Sequence, residues 1–273
     1  MSPDPQPTPV SPAPLPPTLL PPTLWKKLTS TVGLVAVPGP RGTNVMSAEW
    51  SYFVNKDPLY VAVVLGPRTA SRDLIDAAGR WAVTFCAEDQ AALADFAGSC
   101  SVTDVDKTTS VAVDLAPGTH TPWVRGGVLA VECELRQVVP MPVHTMYVGE
   151  VVAAHLPEQP VRPLVKHGAM YALGDPVRRT RILTATRLLP DGTLRVAATG
   201  PAVPAGSTPQ WRISLLAPDG ALTRLGRYPA DRHGDLLVEV ALPDTALPAT
   251  GPVGLRVRVE RDGAQAGEAT VGP

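Results

Sequence analysis

Residues 60–75 read YVAVVLGPRTASRDLI, and they carry an apolar run through a short loop into a helical pattern. The run YVAVVL is rich in β-branched residues, which is typical of a buried strand. The segment SRDLIDAAG has acidic residues in its first turns and Gly79 at its end, which indicates a short helix. The loop therefore presents the cation of Arg68 and the hydroxyls of Thr69 and Ser71 where that helix begins.

Two interpretations of this loop are open. A helix N-terminus offers unpaired N–H groups and a partial positive charge, and a guanidinium with two hydroxyls beside it would complete a phosphate site. Alternatively, Ser71 or Thr69 simply caps the helix and Arg68 is solvated, because hydroxyl caps are common. This stretch alone does not distinguish an anion site from a capped helix.

The composition narrows the class of protein. The chain has 273 residues, 44% of them hydrophobic and 18% charged, so it is long enough for one large or two ordinary globular domains. A net charge of -1 argues against a broad nucleic-acid surface. The three cysteines are too scattered for a disulfide framework or a zinc site, and Cys133 is predicted to be a buried, inert thiol. With no bilayer-length apolar run and no signal-peptide pattern, we expect a cytoplasmic protein that binds no metal and no membrane.

The sequence predicts three segments. Residues 1–23 are proline-rich and form an extended tail, which is either a ligand for a proline-binding module or a simple tail. Residues 24–176 contain at least six strands, at 31–39, 42–54, 58–65, 81–87, 126–142 and 144–156, and two short helices, at 71–80 and 89–100. Because two short helices cannot cover a parallel sheet, this mostly β domain is predicted to be an antiparallel barrel.

Residues 177–273 are predicted to form a small, immunoglobulin-like β-sandwich. Short alternating runs are separated by turn signals at 190–194, 217–222, 233–237 and 261–265, and three of these contain Asp-Gly, the strongest short hairpin signal. This part of the chain has His233 as its only histidine and has no cysteine, so no catalytic constellation is predicted there.

The order of several segments along residues 24–174 resembles the flavin reductase-like family, whose members fold as FMN-binding split barrels. GTNVMSAEWSYFVNKDPLYVAVVL precedes GPRTASRDLI, and WAVTFCAEDQAALADFAGSCSVTDVDKT follows it. Later, PVHTMYVGEVVAAHL is similar to the family's "GDH…GEV" strand pair, and KHGAMYALG is similar to its closing glycine and tyrosine segment. No single motif carries the resemblance, which rests on their order and spacing.

The resemblance implies an FMN site with three groups of residues. Arg68, Thr69 and Ser71 match the loop that holds the FMN phosphate. The strand that lines the isoalloxazine ring is matched by Asn44, Val45, Met46, Ser47 and Ala48. The family's loop near the flavin is matched by Ser99, Cys100 and Ser101, and Lys107 matches its Asp-Lys position, although a lone loop lysine is ordinarily solvated.

The resemblance also concerns two aromatic side chains and two positions at which this sequence differs from the family's pattern. His144 occupies the place of the family's histidine, where it would contact the flavin or nicotinamide as a proton donor, or it is a strand histidine facing solvent. Trp50 either borders the flavin or packs in the core or a dimer contact. The usual Gly-Asp is replaced by Pro142-Val143, and the usual strand Asn by Cys86, which leaves one flavin contact absent or made by the Cys86 backbone.

The implied function is an NAD(P)H-dependent flavin reductase. Hydride would pass from nicotinamide C4 to flavin N5, with the protein orienting the reactants and excluding water. The family places its flavin at a homodimer interface, so a homodimer is expected. The alternatives are a non-catalytic FMN-binding electron carrier or sensor with a C-terminal recognition domain, and a cofactor-free adhesion or scaffold protein. The sequence does not distinguish NADH from NADPH, nor does it reveal the final acceptor.

Overall fold

A computed structural model describes residues 23–103, 105–109, 113–175, 181–201, 203, 206–243 and 253–271. Residues 1–22 of the predicted tail and the predicted boundary at Pro176-Val177 lie outside these ranges. The chain divides into two compact units, with the division between Gly174 and Asp175.

The first unit is built around a seven-stranded antiparallel sheet. The strands of the first unit are β1 (Ser30–Thr31), β2 (Gly33–Gly39), β3 (Gly42–Ala48), β4 (Ser51–Lys56), β5 (Leu59–Leu65), β6 (Arg80–Phe85), β7 (Leu115–Ala116), β8 (Trp123–Val124), β9 (Leu129–Pro140), β10 (Thr145–His155), β11 (Leu164–His167) and β12 (Ala169–Ala172). The large sheet has the order β3-β2-β6-β9-β10-β5-β4, while β1-β11-β12 and β7-β8 form small sheets. The helices are α1 (Ser71–Ala78) and α2 (Ala91–Ser99), with 3-10 turns at Leu24–Lys27, Glu88–Gln90 and Lys107–Thr109.

The large sheet closes on itself because its two edge strands are consecutive in the chain. Only Glu49 and Trp50 separate β3 at one edge from β4 at the other, and the Trp50 carbonyl accepts a hydrogen bond from Val64 N–H of β5 at 2.9 Å. The predicted antiparallel barrel is therefore confirmed. The prediction of one strand over residues 42–54 is wrong. The strand-like sequence pattern continues through Glu49 and Trp50, where the chain passes from one edge strand of the barrel to the other.

Both faces of β2 are buried, which explains its continuous run of apolar residues. Val35 and Val37 pack in the barrel interior, in the same cluster as Trp81. Leu34 and Ala36 pack on the other face, in a cluster to which α2 contributes its buried residues Leu93, Ala94 and Ala97. One side of the sheet therefore encloses the core, and the other positions α2 against β2 and β3.

Helix α1 agrees with its sequence signals. Ile75 is fully buried in the barrel core, and Gly79 ends the helix in the left-handed conformation with φ 64°. The Gly79 N–H bonds to the Ile75 carbonyl at 2.8 Å, and a left-handed end of this kind favours glycine. Strands β9 and β10 pair antiparallel, as the sequence predicts.

A buried carboxylate holds the loop of residues 117–121 against the barrel. Glu132 of β9 is fully buried and accepts hydrogen bonds from the N–H groups of Thr119 at 2.8 Å and His120 at 2.6 Å. The Nε2 atom of His155 on β10 lies 2.8 Å from the same carboxylate. The charge is thus surrounded by donors, as a buried charge requires.

The second unit is a two-sheet β-sandwich, as predicted. Its strands are β13 (Leu183–Leu188), β14 (Thr193–Thr199), β15 (Gln210–Leu216), β16 (Leu222–Pro229), β17 (Leu236–Ala241), β18 (Arg256–Glu260) and β19 (Gly267–Thr270), in sheets of order β13-β14-β17 and β16-β15-β18-β19. Buried residues from both sheets form one core around Trp211.

The three Asp-Gly turns join the hairpins β13-β14, β15-β16 and β18-β19. The fourth turn signal, at 233–237, joins strands of different sheets instead. Asp231 does organise a local turn there, because its Oδ1 accepts from the N–H groups of His233 and Asp235 at 2.8 Å. The turn forms, but the strands on either side of it, β16 and β17, belong to the two different sheets that pack around the shared core.

Candidate functional site

A cleft of about 590 Å³ opens where β3, the β5–α1 loop and the C-terminal end of α2 meet. This volume lies within the range of small-molecule sites. It is lined by Asn44, Met46, Ser47, Arg68, Thr69, Ala70, Ser71, Ala97, Gly98, Ser99, Cys100, Ser101, Val102 and Lys107. The structure thus brings together all the predicted cofactor-binding residues except Val45 and Ala48.

Val45 and Ala48 do not line the cleft, because each packs into a core cluster on a different face of β3. The Val45 side chain is fully buried in the cluster that includes residues of α2, and Ala48 is buried in the barrel interior. They help to form the strand behind the cleft, but their side chains do not line it.

No side-chain oxygen caps the N-terminus of α1 among the described residues. The N-cap position is Ala70, which has no side-chain acceptor, and neither neighbouring hydroxyl takes over that role. Capping therefore does not account for the hydroxyls of the loop. An uncapped helix start beside a cleft favours negative charge through its N–H groups and dipole.

Asn44 and Ser71 form a buried polar pair in the cleft wall. The Asn44 Nδ2 group donates to Ser71 Oγ at 2.8 Å, which leaves the Ser71 hydroxyl proton available to an acceptor in the cleft. The Asn44 Oδ1 atom is buried and has no hydrogen-bond partner among the described residues. Leaving such an atom unpaired costs about 1–3 kcal/mol, so a ligand donor would be favoured there.

Thr69 and Arg68 differ in how they can reach an anion. The Thr69 hydroxyl donates to the Gly66 carbonyl at 2.9 Å, so it shapes the loop and does not offer its proton to the cleft. Arg68 is exposed at the cleft and keeps its guanidinium donors accessible. Of the predicted phosphate donors, Arg68 and Ser71 are therefore the two side chains whose N–H and O–H groups can still donate to a phosphate in the cleft.

Lys107 is buried and is not a solvated loop lysine. Its side chain is 4% exposed, and its ammonium donates to the carbonyls of Val45 and Ala97, each at 2.8 Å. Burial lowers the pKa of this ammonium. Because Ala97 lies in the last turn of α2, the cation also complements the negative end of the helix dipole. Lys107 thus ties α2 to β3 at the cleft.

The C-terminal end of α2 approaches β3 closely. A β-carbon at Gly98 would meet Ser47 Oγ, so only glycine leaves that approach undisturbed. The Ser99 hydroxyl donates back to the Asp95 carbonyl at 2.8 Å, whereas Ser101 Oγ accepts from the Thr103 side chain at 2.8 Å. Cys100 lies between them in the cleft wall.

His144 lies at the start of the Arg68 loop and does not line the cleft itself. A β-carbon on Gly66 would stand 4.0 Å from His144 Nε2. The half-buried imidazole packs on Trp50 with ring centroids 5.1 Å apart, and Trp50 in turn meets Trp25 edge-on at 5.8 Å. Trp50 is therefore part of an aromatic cluster beside the loop and belongs to neither main core cluster.

The backbone of Cys86, which the sequence leaves as one of two alternatives for a flavin contact, is hydrogen-bonded within the protein. Its N–H donates to Val32 O and its carbonyl accepts from Leu164 N, both at 2.9 Å. Burial raises the pKa of the Cys86 thiol to about 12, and that of Cys133 likewise. Both thiols are protonated at neutral pH, which confirms the prediction of an inert Cys133.

Sequence reasoning missed four cleft residues, Ala70, Ala97, Gly98 and Val102. None carries a chemical group that a sequence motif would mark. Each is adjacent to a predicted site residue or one step from it, so proximity in the chain was the available signal.

In the part of the chain that the structure describes, no group of three or more His, Cys, Asp or Glu residues could hold a metal ion, and no helix is both long and apolar enough to cross a membrane.

Solved structures resemble the first unit over nearly their whole length. The FMN-binding protein from Thermus thermophilus, with bound p-hydroxybenzaldehyde, shares 23% identity and a TM-score of 0.53, covering 63% of this chain and 98% of its own. Flavoredoxin from Methanosarcina acetivorans shares 21% identity and a TM-score of 0.53, covering 62% and 94%. At these identities the likeness establishes the split-barrel fold.

A third structure extends the comparison, and the family assignment rests on the sequence itself. The NADH:FAD oxidoreductase of Streptomyces globisporus C-1027 shares 19% identity and a TM-score of 0.53, covering 62% of this chain and 100% of its own. Residues 25–174, more than half of the chain, match the family described as "Flavin reductase like domain". The chain therefore belongs to the flavin reductase-like family.

Proposed function

We propose that this protein is an FMN-binding oxidoreductase that reduces flavin with NAD(P)H. Membership of the flavin reductase-like family supports a flavin-related oxidoreductase. The observation that carries the proposal is the cleft at the start of α1, where Arg68, Ser71 and the unpaired Asn44 Oδ1 converge without a helix cap.

The residues of the cleft fit a flavin mononucleotide. Arg68 and Ser71 would hold the phosphate beside the uncapped helix. A hydroxyl of the ribityl chain would satisfy Asn44 Oδ1, which otherwise stays buried and unpaired. The residues that line the cleft beside β3 include small ones, Ser47, Ala70 and Ala97, which suits the close approach of a flat ring.

The protein's contribution to the reaction is mainly positional. A bound flavin would supply the redox chemistry, as an acceptor for hydride from a nicotinamide. The cleft walls would orient the ring and exclude water. His144, next to Gly66 and packed against Trp50, would donate a hydrogen bond to the flavin or the nicotinamide at the rim of the site. We place this activity in the cytoplasm, consistent with three free cysteines.

We also propose a homodimer with the flavin at its interface. Strand β4 is an edge of the sheet and exposes three neighbouring apolar side chains, Tyr52 (40%), Phe53 (44%) and Val54 (52%). Beside it lies a mostly apolar hollow of about 380 Å³ that Phe53 and Leu129 help to line. An exposed apolar edge strand is a template for pairing with another chain, and a second copy would cover it.

One experiment tests the proposed activity. The purified chain is titrated with FMN and with FAD, and then NADH and NADPH are added separately without oxygen while the visible spectrum is recorded. Uptake of FMN followed by bleaching with either nucleotide supports the proposal. A protein that takes up neither flavin refutes the proposal. Tighter binding of FAD than of FMN would mean that FAD is the cofactor. A protein that turns yellow with flavin but is bleached by neither nucleotide indicates the non-catalytic electron carrier.

A further inference from the structure

An exposed tryptophan and two lysines share one short turn of the first unit. The 3-10 turn Leu24–Lys27 (the Trp25 turn) has no buried residue, and Trp25 is 41% exposed. Lys26 and Lys27 are also exposed, and neither makes an ion pair among the described residues. The Lys26 ammonium lies 5.4 Å from the centroid of the Trp25 ring. An aromatic surface and two cations therefore stand side by side.

Aromatic contacts connect the Trp25 turn to the rim of the cleft. Trp25 meets Trp50 edge-on with ring centroids 5.8 Å apart, and Trp50 packs against His144 with centroids 5.1 Å apart. His144 in turn lies beside Gly66, at the start of the loop that carries Arg68. Two ring contacts thus separate the exposed indole from the imidazole at the rim. An elongated ligand with a ring at each end would reach both.

The charge around the turn is positive. Residues 23–30 contain two lysines and no Asp or Glu. Glu49, the neighbour of Trp50 in the chain, already has partners, because it accepts from the Ser30 hydroxyl at 3.1 Å and pairs with Lys166 at 3.8 Å. No carboxylate of the turn itself therefore competes with an anionic ligand for its lysines.

We propose that the Trp25 turn binds the adenosine end of the nicotinamide nucleotide and makes the protein prefer NADPH to NADH. This inference rests on the proposed function, and it names the reductant that the cleft would use. The adenine would stack on the exposed indole, since every nucleobase has a π-face that stacks on aromatic side chains. The nicotinamide, at the other end of the same molecule, would lie at the rim beside His144.

The lysines account for the preference between the two nucleotides. NADPH differs from NADH by a phosphate on the adenosine ribose, and a phosphate monoester carries close to two negative charges at neutral pH. Lys26 and Lys27 would pair with that phosphate. In dinucleotide-binding folds an Asp or Glu accepts the ribose 2′-hydroxyl of NADH, and residues 23–30 offer no such acceptor. The turn therefore matches the phosphorylated ribose.

Two adenosine fragments test the site without any turnover. Adenosine 2′,5′-bisphosphate carries the ribose phosphate of NADPH, and AMP lacks it. In calorimetric titrations of the full-length chain with excess FMN present, the bisphosphate should bind at least about tenfold more tightly than AMP. Lys26→Gln combined with Lys27→Gln should remove most of that difference. Arg80→Gln, which removes an exposed cation elsewhere on the first unit, should leave it unchanged.

A tryptophan variant separates stacking from charge. Trp25→Leu should weaken both fragments about tenfold, because the adenine is common to them, and should raise KM for NADPH similarly while kcat changes less than about twofold. Equal binding of the two fragments, or a preference that survives loss of both lysines, would overturn the inference even if NADH reduces the flavin. A chain that binds the bisphosphate through these lysines but reduces no flavin would instead refute the proposed function and leave the nucleotide site standing.

Discussion

Among single residues, Arg68 offers the clearest test of the cleft, because it is exposed and contributes no packing to either core cluster of the first unit. Ser71 and Asn44 are buried and bonded to each other, so replacing either would disturb the wall of the cleft as well as the ligand. The function of the loop can therefore be separated from its structure only at the arginine.

Replacing Arg68 by alanine should weaken FMN binding about 10- to 100-fold and change riboflavin binding little, since only FMN carries a phosphate. Flavin fluorescence quenching measures both affinities. Arg80→Ala, at an exposed arginine that does not line the cleft, should leave both unchanged. Equal losses for FMN and riboflavin would argue against a phosphate site at this loop.

Glu132 is the residue whose charge matters most for folding. Burial alone would raise its pKa, but hydrogen bonds from the backbone of His120, Thr119 and Thr121 and from His155 prevail, so its pKa lies below the ordinary 4.5. A carboxyl with a lowered pKa stabilises the fold fully above its unfolded-state pKa. That stabilisation is lost as the pH falls through the folded-state pKa.

Glu132→Gln should therefore lower the free energy of unfolding at pH 7 by about 3 kcal/mol, because several buried N–H donors lose a charged acceptor. The gap between wild type and variant should shrink as the pH falls below about 4.5. Urea unfolding from pH 7 to pH 3 measures it. Glu134→Gln, on the same strand but partly exposed, should cost little, and a gap that does not change with pH would contradict the assignment.

Between elements, a side chain of β6 fills the space beside a glycine of β10. The Trp81 indole of β6 is fully buried, and a β-carbon at Gly149 of β10 would collide with its ring and stand 2.9 Å from Cys133 Cβ. Gly149 begins the "GEV" segment by which the sequence resembles its family. The glycine is required there because a rigid ring occupies the space of a side chain.

Gly149→Ala should destabilise the protein by about 1–3 kcal/mol, although alanine ordinarily suits a strand better than glycine. The double variant with Trp81→Phe should lose less than the sum of the two single variants, since the smaller ring relieves the collision. Thermal unfolding provides the measurement. Gly174→Ala, where a β-carbon would contact nothing within 4 Å, is the neutral control. Additive losses would mean that the ring and the glycine do not conflict.

At the scale of the whole molecule, the two units have separate cores. The cleft is formed by residues between 44 and 107, so the first unit contains all of its lining residues. The exposed β4 edge is the feature of the first unit that points to a partner, and the proposed dimer is tested there.

Val54→Lys should convert the proposed dimer to a monomer, because a charge would be buried at the strand edge. Light scattering after size exclusion reports the mass, and FMN affinity should fall with dimer loss if the flavin lies at the interface. Leu237→Lys places the same charge on an exposed apolar position of the second unit and should leave the mass unchanged. A monomeric wild type, or a dimeric Val54 variant, would refute the proposed interface.

Local patterns in the sequence determined the elements themselves. The strand β5, the helix α1 with its end at Gly79, and the Asp-Gly hairpins of the sandwich follow from periodicity, β-branching and turn chemistry within a few neighbouring residues. Arg68, Thr69 and Ser71 could be grouped because they are contiguous in the chain. The family's motif order added β3 and the loop after α2, which no single stretch would have marked.

Only the tertiary structure decided how those pieces meet. Closure of the barrel, which a strand pattern cannot express, broke residues 42–54 into two edge strands. The bond between Asn44 and Ser71 joins residues 27 positions apart, and Lys107 reaches Val45 across 62, so neither partner choice is visible in local sequence. Burial turned an ordinary loop lysine into a fixed support of the cleft and committed both backbone groups of Cys86 to the protein, because a buried polar group must find its partners wherever the fold places them.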